Sequence, residues 1–458
     1  MNRELSRVAI WDITSECNLK CSHCYNQERY WEKSSSYKKL SKNDLKIIID
    51  KLVKLSFTRL HLLGGEPLLA TNLNFIIQYA KSKGLDVTLV TNGTLLTEKV
   101  IEELCKLEVS LLSISIDGTN REDNDSVRGD GIFDTVVKNV KRGIEIRNQL
   151  DSNMLMVMSF TLTSRNIFNS ANIVDFALQL GFDEINISYL SNEGNARNSY
   201  ANFNISENEK FDFIDKVMKN FEEITDRHIG LHIDSRSYLS EYIYKKFGIE
   251  MEGDSFGCRG GDEQFYVLAD STLLPCSPAG TSIGDFTKKI LPNKGTYPNL
   301  LTDTIDNIKN SPDLISFYNF THNCSTYNNI YPCNDCKYTC RACPLLYNYN
   351  KTVDECIVAK HRINELDNTN IKTIFNKLET LRLSSWQNRV DILTFDNQNH
   401  YILEDISARI WDGIDGLKTF ENIINSIYED YKEQVEYKVF ISDALDLLYE
   451  LKSLKLIY

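Results

Sequence analysis

Trp11-Asp12-Ile13-Thr14-Ser15-Glu16-Cys17-Asn18-Leu19-Lys20-Cys21-Ser22-His23-Cys24-Tyr25 runs out of an apolar stretch into three cysteines spaced Cys-x3-Cys-x2-Cys. Three thiolates that close can hold three irons of a [4Fe–4S] cube and leave the fourth iron open. Structural iron–sulfur sites normally use four cysteines, so the missing ligand points to a substrate or cofactor at that iron. Zinc is the alternative. It accepts Cys-x2-Cys pairs and histidine, and His23 lies between Cys21 and Cys24. A structural zinc ribbon needs a second nearby pair, and the next cysteine is Cys105, best read as a buried helical thiol.

Outward from this loop, 458 residues are too many for one ordinary domain; at about 150 per domain they make two or three. The 42% hydrophobic and 25% charged residues fit a globular chain, and no apolar run suggests a membrane span. Met1-Asn2-Arg3-Glu4-Leu5 does not begin a signal peptide. Twelve cysteines without a secretion signal place the chain in a reducing cytoplasm and favour metal over disulfides. The net charge of −13 disfavours nucleic acid as a partner, because phosphate binding needs clustered Lys and Arg.

Across residues 1–250, short β-branched runs alternate with amphipathic stretches. Strands are predicted at 8–14, 59–63, 86–91, 111–116, 155–162 and 184–189, with helices near 41–56, 71–83, 97–107, 132–148 and 169–180. Alternation of this kind predicts parallel strands with helices outside and chemistry at the strand C-termini. Cys17, Cys21 and Cys24 follow the first strand. Gly64-Gly65-Glu66-Pro67 follows the second, Thr91-Asn92-Gly93 ends the third, and Ser115-Ile116-Asp117-Gly118 closes the fourth. A glycine pair lets a backbone approach a ligand closely.

In this order the motifs resemble the radical S-adenosylmethionine (SAM) superfamily over roughly residues 5–240. The resemblance implies a partial (β/α)6 TIM-type barrel and a [4Fe–4S] cluster on Cys17, Cys21 and Cys24, with SAM on its open iron. It implies that Gly64, Gly65 and Glu66 meet the methionine amino group and that the Tyr25 backbone meets the adenine. Asn92 joins the cofactor contacts at the third strand, Ser115 and Asp117 approach the ribose, and Arg128 is a candidate for the SAM carboxylate. Asn166 and Arg197 are further candidates. A 5′-deoxyadenosyl radical that removes hydrogen from an unactivated C–H is the chemistry so implied. An electron donor such as flavodoxin or ferredoxin would be a partner.

Residues 251–365 hold eight more cysteines: Cys258, Cys276, Cys324, Cys333, Cys336, Cys340, Cys343 and Cys356. Eight thiolates suffice for two four-thiolate clusters or two zinc sites. The run from Cys258-Arg259-Gly260-Gly261 through Phe265-Tyr266-Val267 to Cys276 resembles the opening hairpin of a SPASM domain, which carries two auxiliary [4Fe–4S] clusters. That resemblance assigns Cys258, Cys276 and Cys343 to one cluster, with Cys324 a possible fourth ligand. Cys333, Cys336, Cys340 and Cys356 go to the other. The block is spaced x2, x3, x2 where the family has x2, x5, x3, and Ser271 or a neighbour stands for the usual glycine. In the resembling sulfatase-maturing enzymes an acidic base follows the second cysteine; here that position is Ser277, which argues against that activity.

Residues 366–385 read as a linker helix, and 386–458 as a small domain. Two short strands, at 391–395 and 400–403, precede helices near 405–412, 419 onward and 435–452. The default for such a unit is a DNA-binding winged helix. From Arg389 onward, however, 14 acidic residues face 7 basic ones, which disfavours DNA. The stretch from Tyr401 to Asp412, with Asp415-Gly416 and Thr419, resembles the winged-helix-like PqqD-like fold that recognises precursor peptides. The resemblance implies that a leader peptide adds as a strand between 400–404 and the last helix. Arg409, Trp411 and Tyr401 read as core or turn residues. Together the three modules imply a cytoplasmic radical SAM maturase with three [4Fe–4S] clusters. It would act on a ribosomally made precursor peptide and form an intramolecular crosslink, with a cysteine thioether favoured over carbon–carbon or carbon–oxygen links.

Overall fold

The computed structural model describes residues 7–26, 39–190, 194–196, 203–224, 229–234, 237–251, 256–280, 293, 296–322, 340–341, 354–378, 381–386, 389–394 and 399–458. The chain divides into two compact units. One comprises Met1–Ser235 with Ser255–Thr352, the other Arg236–Asp254 with Val353–Tyr458.

In the first unit, strands β1 (Arg7–Thr14), β2 (Phe57–Gly64), β3 (Asp86–Thr91), β4 (Leu111–Ser115), β5 (Leu155–Leu162) and β6 (Glu184–Tyr189) lie side by side in chain order, each parallel to the next. Between them run α1 (Lys42–Lys54), α2 (Leu73–Ser82), α3 (Glu98–Lys106), α4 (Arg121–Arg128), α5 (Ile132–Gln149) and α6 (Ile173–Leu180). The first crossover illustrates the local logic. The Ser41 hydroxyl accepts from the Asp44 N–H at 3.2 Å while Asp44 accepts from the Ser41 N–H at 2.9 Å, a reciprocal cap that fixes where α1 starts. Leu45, Ile48, Ile49 and Leu52 then recur at helical spacing and are buried. Central strands are apolar on both faces, as parallel strands covered by helices must be; Leu112, Ile114, Met156 and Met158 are fully buried.

The sheet extends beyond the six expected strands. A seventh strand, β7 (Gly230–Ile233), follows α7 (Glu207–Glu223) and pairs parallel with β6. At the other edge, β9 (Gln264–Val267) pairs parallel with β1 and antiparallel with β10 (Leu273–Leu274). The partial barrel therefore stands, with its first strand flanked on both sides. Four residues, Gly-Leu-His-Ile, are too few for β7 to announce itself by periodicity. The two-residue strand β8 (Phe256–Gly257) pairs with β11 (Cys340–Arg341), and α9 (Ile305–Lys309) and α10 (Pro312–Thr321) complete this unit.

The second unit is built differently from the linker helix and two strands expected. Helix α8 (Ser237–Phe247), placed by sequence within the 1–250 segment, belongs here. So does α11 (Asp354–Ile371), which ends at residue 371 instead of spanning 366–385. Residues 374–378 leave the helix and exchange backbone hydrogen bonds with 456–458. Asn370 and the β-branched Thr369, Ile371, Thr373 and Ile374 crowd that helix end, which disfavours its continuation. Three antiparallel strands follow, β12 (Leu381–Trp386), β13 (Arg389–Thr394) and β14 (His400–Glu404). Helices α12 (Asp405–Gly413), α13 (Phe420–Tyr428) and α14 (Tyr437–Ser453) pack on them around Trp411, Phe420, Ile392 and Leu448. None of the described helices is long and apolar enough to cross a membrane.

Candidate functional site

The C-termini of β1 to β6 open on a cavity of about 320 Å³, within the range of small-molecule sites. Its wall includes Cys17, Cys21, Cys24 and Tyr25 after β1, and Gly64, Gly65 and Glu66 after β2. Asn92, Ser115 and Arg128 complete the sequence-predicted residues that line it.

The two glycines serve the cysteine loop. Gly65 N–H donates to Thr14 C=O at 2.9 Å, and Glu66 N–H donates to Glu16 C=O at 2.7 Å. A Cβ on Gly65 would stand 2.2 Å from Glu16 O, and one on Gly64, whose φ is +139°, would stand 2.3 Å from Thr14 O. The approach expected toward a ligand is thus first an approach to the backbone that launches the three cysteines. The Glu66 side chain is fully buried; it accepts from Thr91 Oγ1 (2.7 Å), Asn92 N–H (2.8 Å) and Leu68 N–H (3.1 Å). Burial raises its pKa against those bonds.

Other strand ends hold the loop from its far side. Asn92 Nδ2 donates to Asn18 Oδ1 at 2.9 Å, and Asn26 Nδ2 donates to Gly64 O at 2.9 Å. Ser22 N–H donates to Val127 O at 2.8 Å, which ties the loop to the last turn of α4. Asn195 N–H donates to Cys24 O at 2.9 Å. Tyr25 Oη lies 3.2 Å from Tyr266 Oη on β9, and that tyrosine donates to buried Asp12 at 2.6 Å. Burial raises the pKa of all three thiols, Cys24 to about 12 with Cys21 beside it. A cation is needed to hold them together as thiolates.

Asp117 is placed otherwise than expected. It is fully buried and does not line the cavity. Its Oδ1 accepts from Thr161 N–H at 2.8 Å, and its Oδ2 faces Arg128 Nε at 2.7 Å and His23 Nε2 at 3.2 Å. Burial alone would raise its pKa; Arg128 and His23 overcome that and bring it to about 2. One ring nitrogen of His23 is thereby engaged by Asp117, and its Nδ1 has no hydrogen-bond partner among the described residues. Among the described residues no three His, Cys, Asp or Glu side chains converge tightly enough to cage a single ion. The thiols instead border a space with room for a larger group.

Asn166 is buried scaffold, donating to Asp117 O at 2.9 Å and Thr161 O at 2.8 Å. Arg197, Cys324, Cys333, Cys336 and Cys343 lie outside the described residues. Cys258 and Cys276 are half-buried on adjacent segments, where Gly261 N–H donates to Pro275 O at 2.9 Å and a Cβ on Gly260 would stand 3.1 Å from Cys276 Cβ. Cys340 begins β11, and Cys356 is buried on α11. Sequence reading missed Ser159, Thr161, Tyr189 and Leu190 in the cavity wall; their positions at the ends of β5 and β6 were the available signal. It also missed the brace from His23 to Asp117.

Three thiols on the wall of a strand-end cavity, with a buried Asp117–Arg128 ion pair behind it, make a site with room for a cluster and a small molecule. Residues 11–163, about a third of the chain, match the Radical SAM superfamily. The family implies SAM and a [4Fe–4S] cluster as cofactors. The chain is 29% identical over 282 residues to the AdoMet-dependent heme synthase of Methanosarcina barkeri, covering 59% of this chain and 76% of that protein. It is 34% identical over 128 residues to the mycofactocin maturase MftC of Mycolicibacterium smegmatis, covering 28% of this chain and 32% of that one. In fold it is similar to Streptococcus suis SuiB bound to its precursor peptide SuiA, with TM-score 0.55 and 16% identity over 70% of this chain and 68% of that chain.

Proposed function

We propose that the chain is a radical SAM maturase that forms an intramolecular crosslink in a ribosomally synthesised peptide, a cysteine thioether being the favoured bond. The observation that carries this reading is the edge strand in the second unit. Among the described strands β14 pairs with β13 alone, so one side of its backbone is open. Ile402 stands 47% exposed on it, and an extended peptide can add to such an edge. The similarity in fold to SuiB bound to its precursor peptide and in sequence to a maturase supports the same reading.

Cys17, Cys21 and Cys24 would hold the cluster, and Gly64, Gly65, Glu66, Asn92, Ser115 and Tyr25 would enclose the SAM. When bound, these cofactors supply a 5′-deoxyadenosyl radical. The chain itself would orient the target carbon, and Ser159, Thr161 and Tyr189 line the wall that the peptide would meet. Cys258, Cys276 and Cys343 would hold one auxiliary cluster, with Cys324 the candidate fourth ligand, and the adjacency of the Cys258 and Cys276 segments supports this. Cys333, Cys336, Cys340 and Cys356 would hold the second. A cytoplasmic location and a flavodoxin- or ferredoxin-type donor complete the proposal.

A second reading, a small-molecule radical SAM enzyme, is favoured by the broader coverage of the heme synthase. Anaerobic incubation of reconstituted protein, carrying about 12 irons for three clusters, with SAM, a reductant and a short precursor encoded nearby separates the two. Loss of two hydrogens from the peptide by mass spectrometry is expected. Solvent deuterium uptake would mean epimerisation instead, and SAM consumption with the peptide unaltered would overturn the peptide reading.

A further inference from the structure

We propose that Asp117 is a positioning residue, which aims the Arg128 guanidinium at the carboxylate end of the bound nucleotide and makes no contact with its ribose. The proposal rests on the cavity being the SAM site. Both Asp117 side-chain oxygens are engaged by protein: Oδ1 by Thr161 N–H at 2.8 Å, Oδ2 by Arg128 Nε at 2.7 Å and His23 Nε2 at 3.2 Å. Its own N–H donates to Asn124 Oδ1 at 3.0 Å, and its C=O accepts from Asn166 Nδ2 at 2.9 Å. Nothing of Asp117 lines the cavity.

Arg128 does line it, with its side chain 9% exposed. With Nε pinned to Asp117, Nη1 and Nη2 form no hydrogen bond or ion pair to another described residue. A guanidinium held at one nitrogen still offers a pair of N–H groups, the arrangement that grips a carboxylate. Helix α4 delivers this group by design of its ends. Asn120 caps its start by accepting from Asp123 N–H at 2.9 Å, and Gly129 terminates it with φ +113°. His23, inside the cysteine triplet, shares the same carboxylate, so the cluster loop and the arginine are braced by one buried anion.

Binding to the reconstituted full-length protein, followed by calorimetry with two probes, tests this. SAM carries the aminocarboxylate; 5′-methylthioadenosine keeps adenine, ribose and sulfur but lacks it. Asp117→Asn is expected to weaken SAM about tenfold or more and 5′-methylthioadenosine by less than about twofold. Arg128→Lys, which keeps the charge but not the braced fork, is expected to show the same selective loss and serves if Asp117→Asn does not fold. Equal weakening of both probes by Asp117→Asn, or unchanged SAM affinity in Arg128→Lys, would overturn the proposal. Wild-type protein that binds neither probe would instead defeat the SAM-site reading on which it rests.

Discussion

His61, on β2, shows how one side chain can set a pH limit on the barrel. Its Nδ1 lies 2.6 Å from Thr88 Oγ1 on β3. Burial, with the Arg59 guanidinium nearby, lowers its pKa from 6.5 to about 4. Below pH 6.5 the unfolded chain therefore binds a proton that the folded chain refuses. The stabilisation is complete above 6.5 and is lost progressively as pH falls toward 4. Between pH 7 and 5 this amounts to about 2 kcal/mol. His61→Gln, which has no such titration, is expected to lose less stability over that interval than the wild type. Urea unfolding of the two proteins at both pH values measures the difference, and parallel losses would refute the assignment.

At the scale of elements, the β9–β10 hairpin that flanks β1 carries a local conflict. Ser271 adopts φ +74° at its turn, a conformation that suits glycine, and it is fully buried. Its N–H donates to Leu268 O at 2.8 Å and its C=O accepts from Leu300 N–H at 2.8 Å, so the turn cannot relax without losing both. Its hydroxyl has no hydrogen-bond partner among the described residues. Ser271→Gly removes the left-handed strain and the unpaired hydroxyl together. The expected result is a gain of about 1 kcal/mol, read as a rise in melting temperature. Ser271→Val, with a branched Cβ in the same conformation, is expected to lower it. This position was visible in sequence as the place where a family glycine is missing, but its backbone conformation was not. The motif elements were equally legible: the order of Cys17, Gly64, Asn92 and Ser115 along the chain put each at the end of its strand. The partners of Asp117 were not legible, because Arg128, His23 and Thr161 come from three segments and no periodicity links them.

Across the whole molecule, the boundaries were the least legible part, since chain order and packing disagree there. Helix α8 lies within the first 250 residues of the sequence but packs with the second unit. Lys245 on α8 lies 3.4 Å from Asp367 on α11, and Tyr449 on α14 donates to that carboxylate at 2.7 Å while accepting from Asn370 at 2.9 Å. Burial, then Asp367, raises the Tyr449 pKa, so the hydroxyl stays a donor. Phe375, before β12, meets Phe420 on α13 edge-on. A deletion of 386–458, the boundary that sequence suggests, would cut through this core. It would leave Asp367 and Asn370 without Tyr449 and uncover the faces of α8 and α11. Such a truncation is expected to bind a hydrophobic dye and to become protease-sensitive within 237–247 and 354–371. A cleanly protected remnant, seen by limited proteolysis and mass spectrometry, would show that residues 386–458 fold as a separate module. Peptide capture is therefore better tested at the edge itself, where Ile402→Lys changes an exposed side chain registered with Asp391 on β13, leaves the buried Ile392 in place, and is expected to weaken precursor binding in a calorimetric titration.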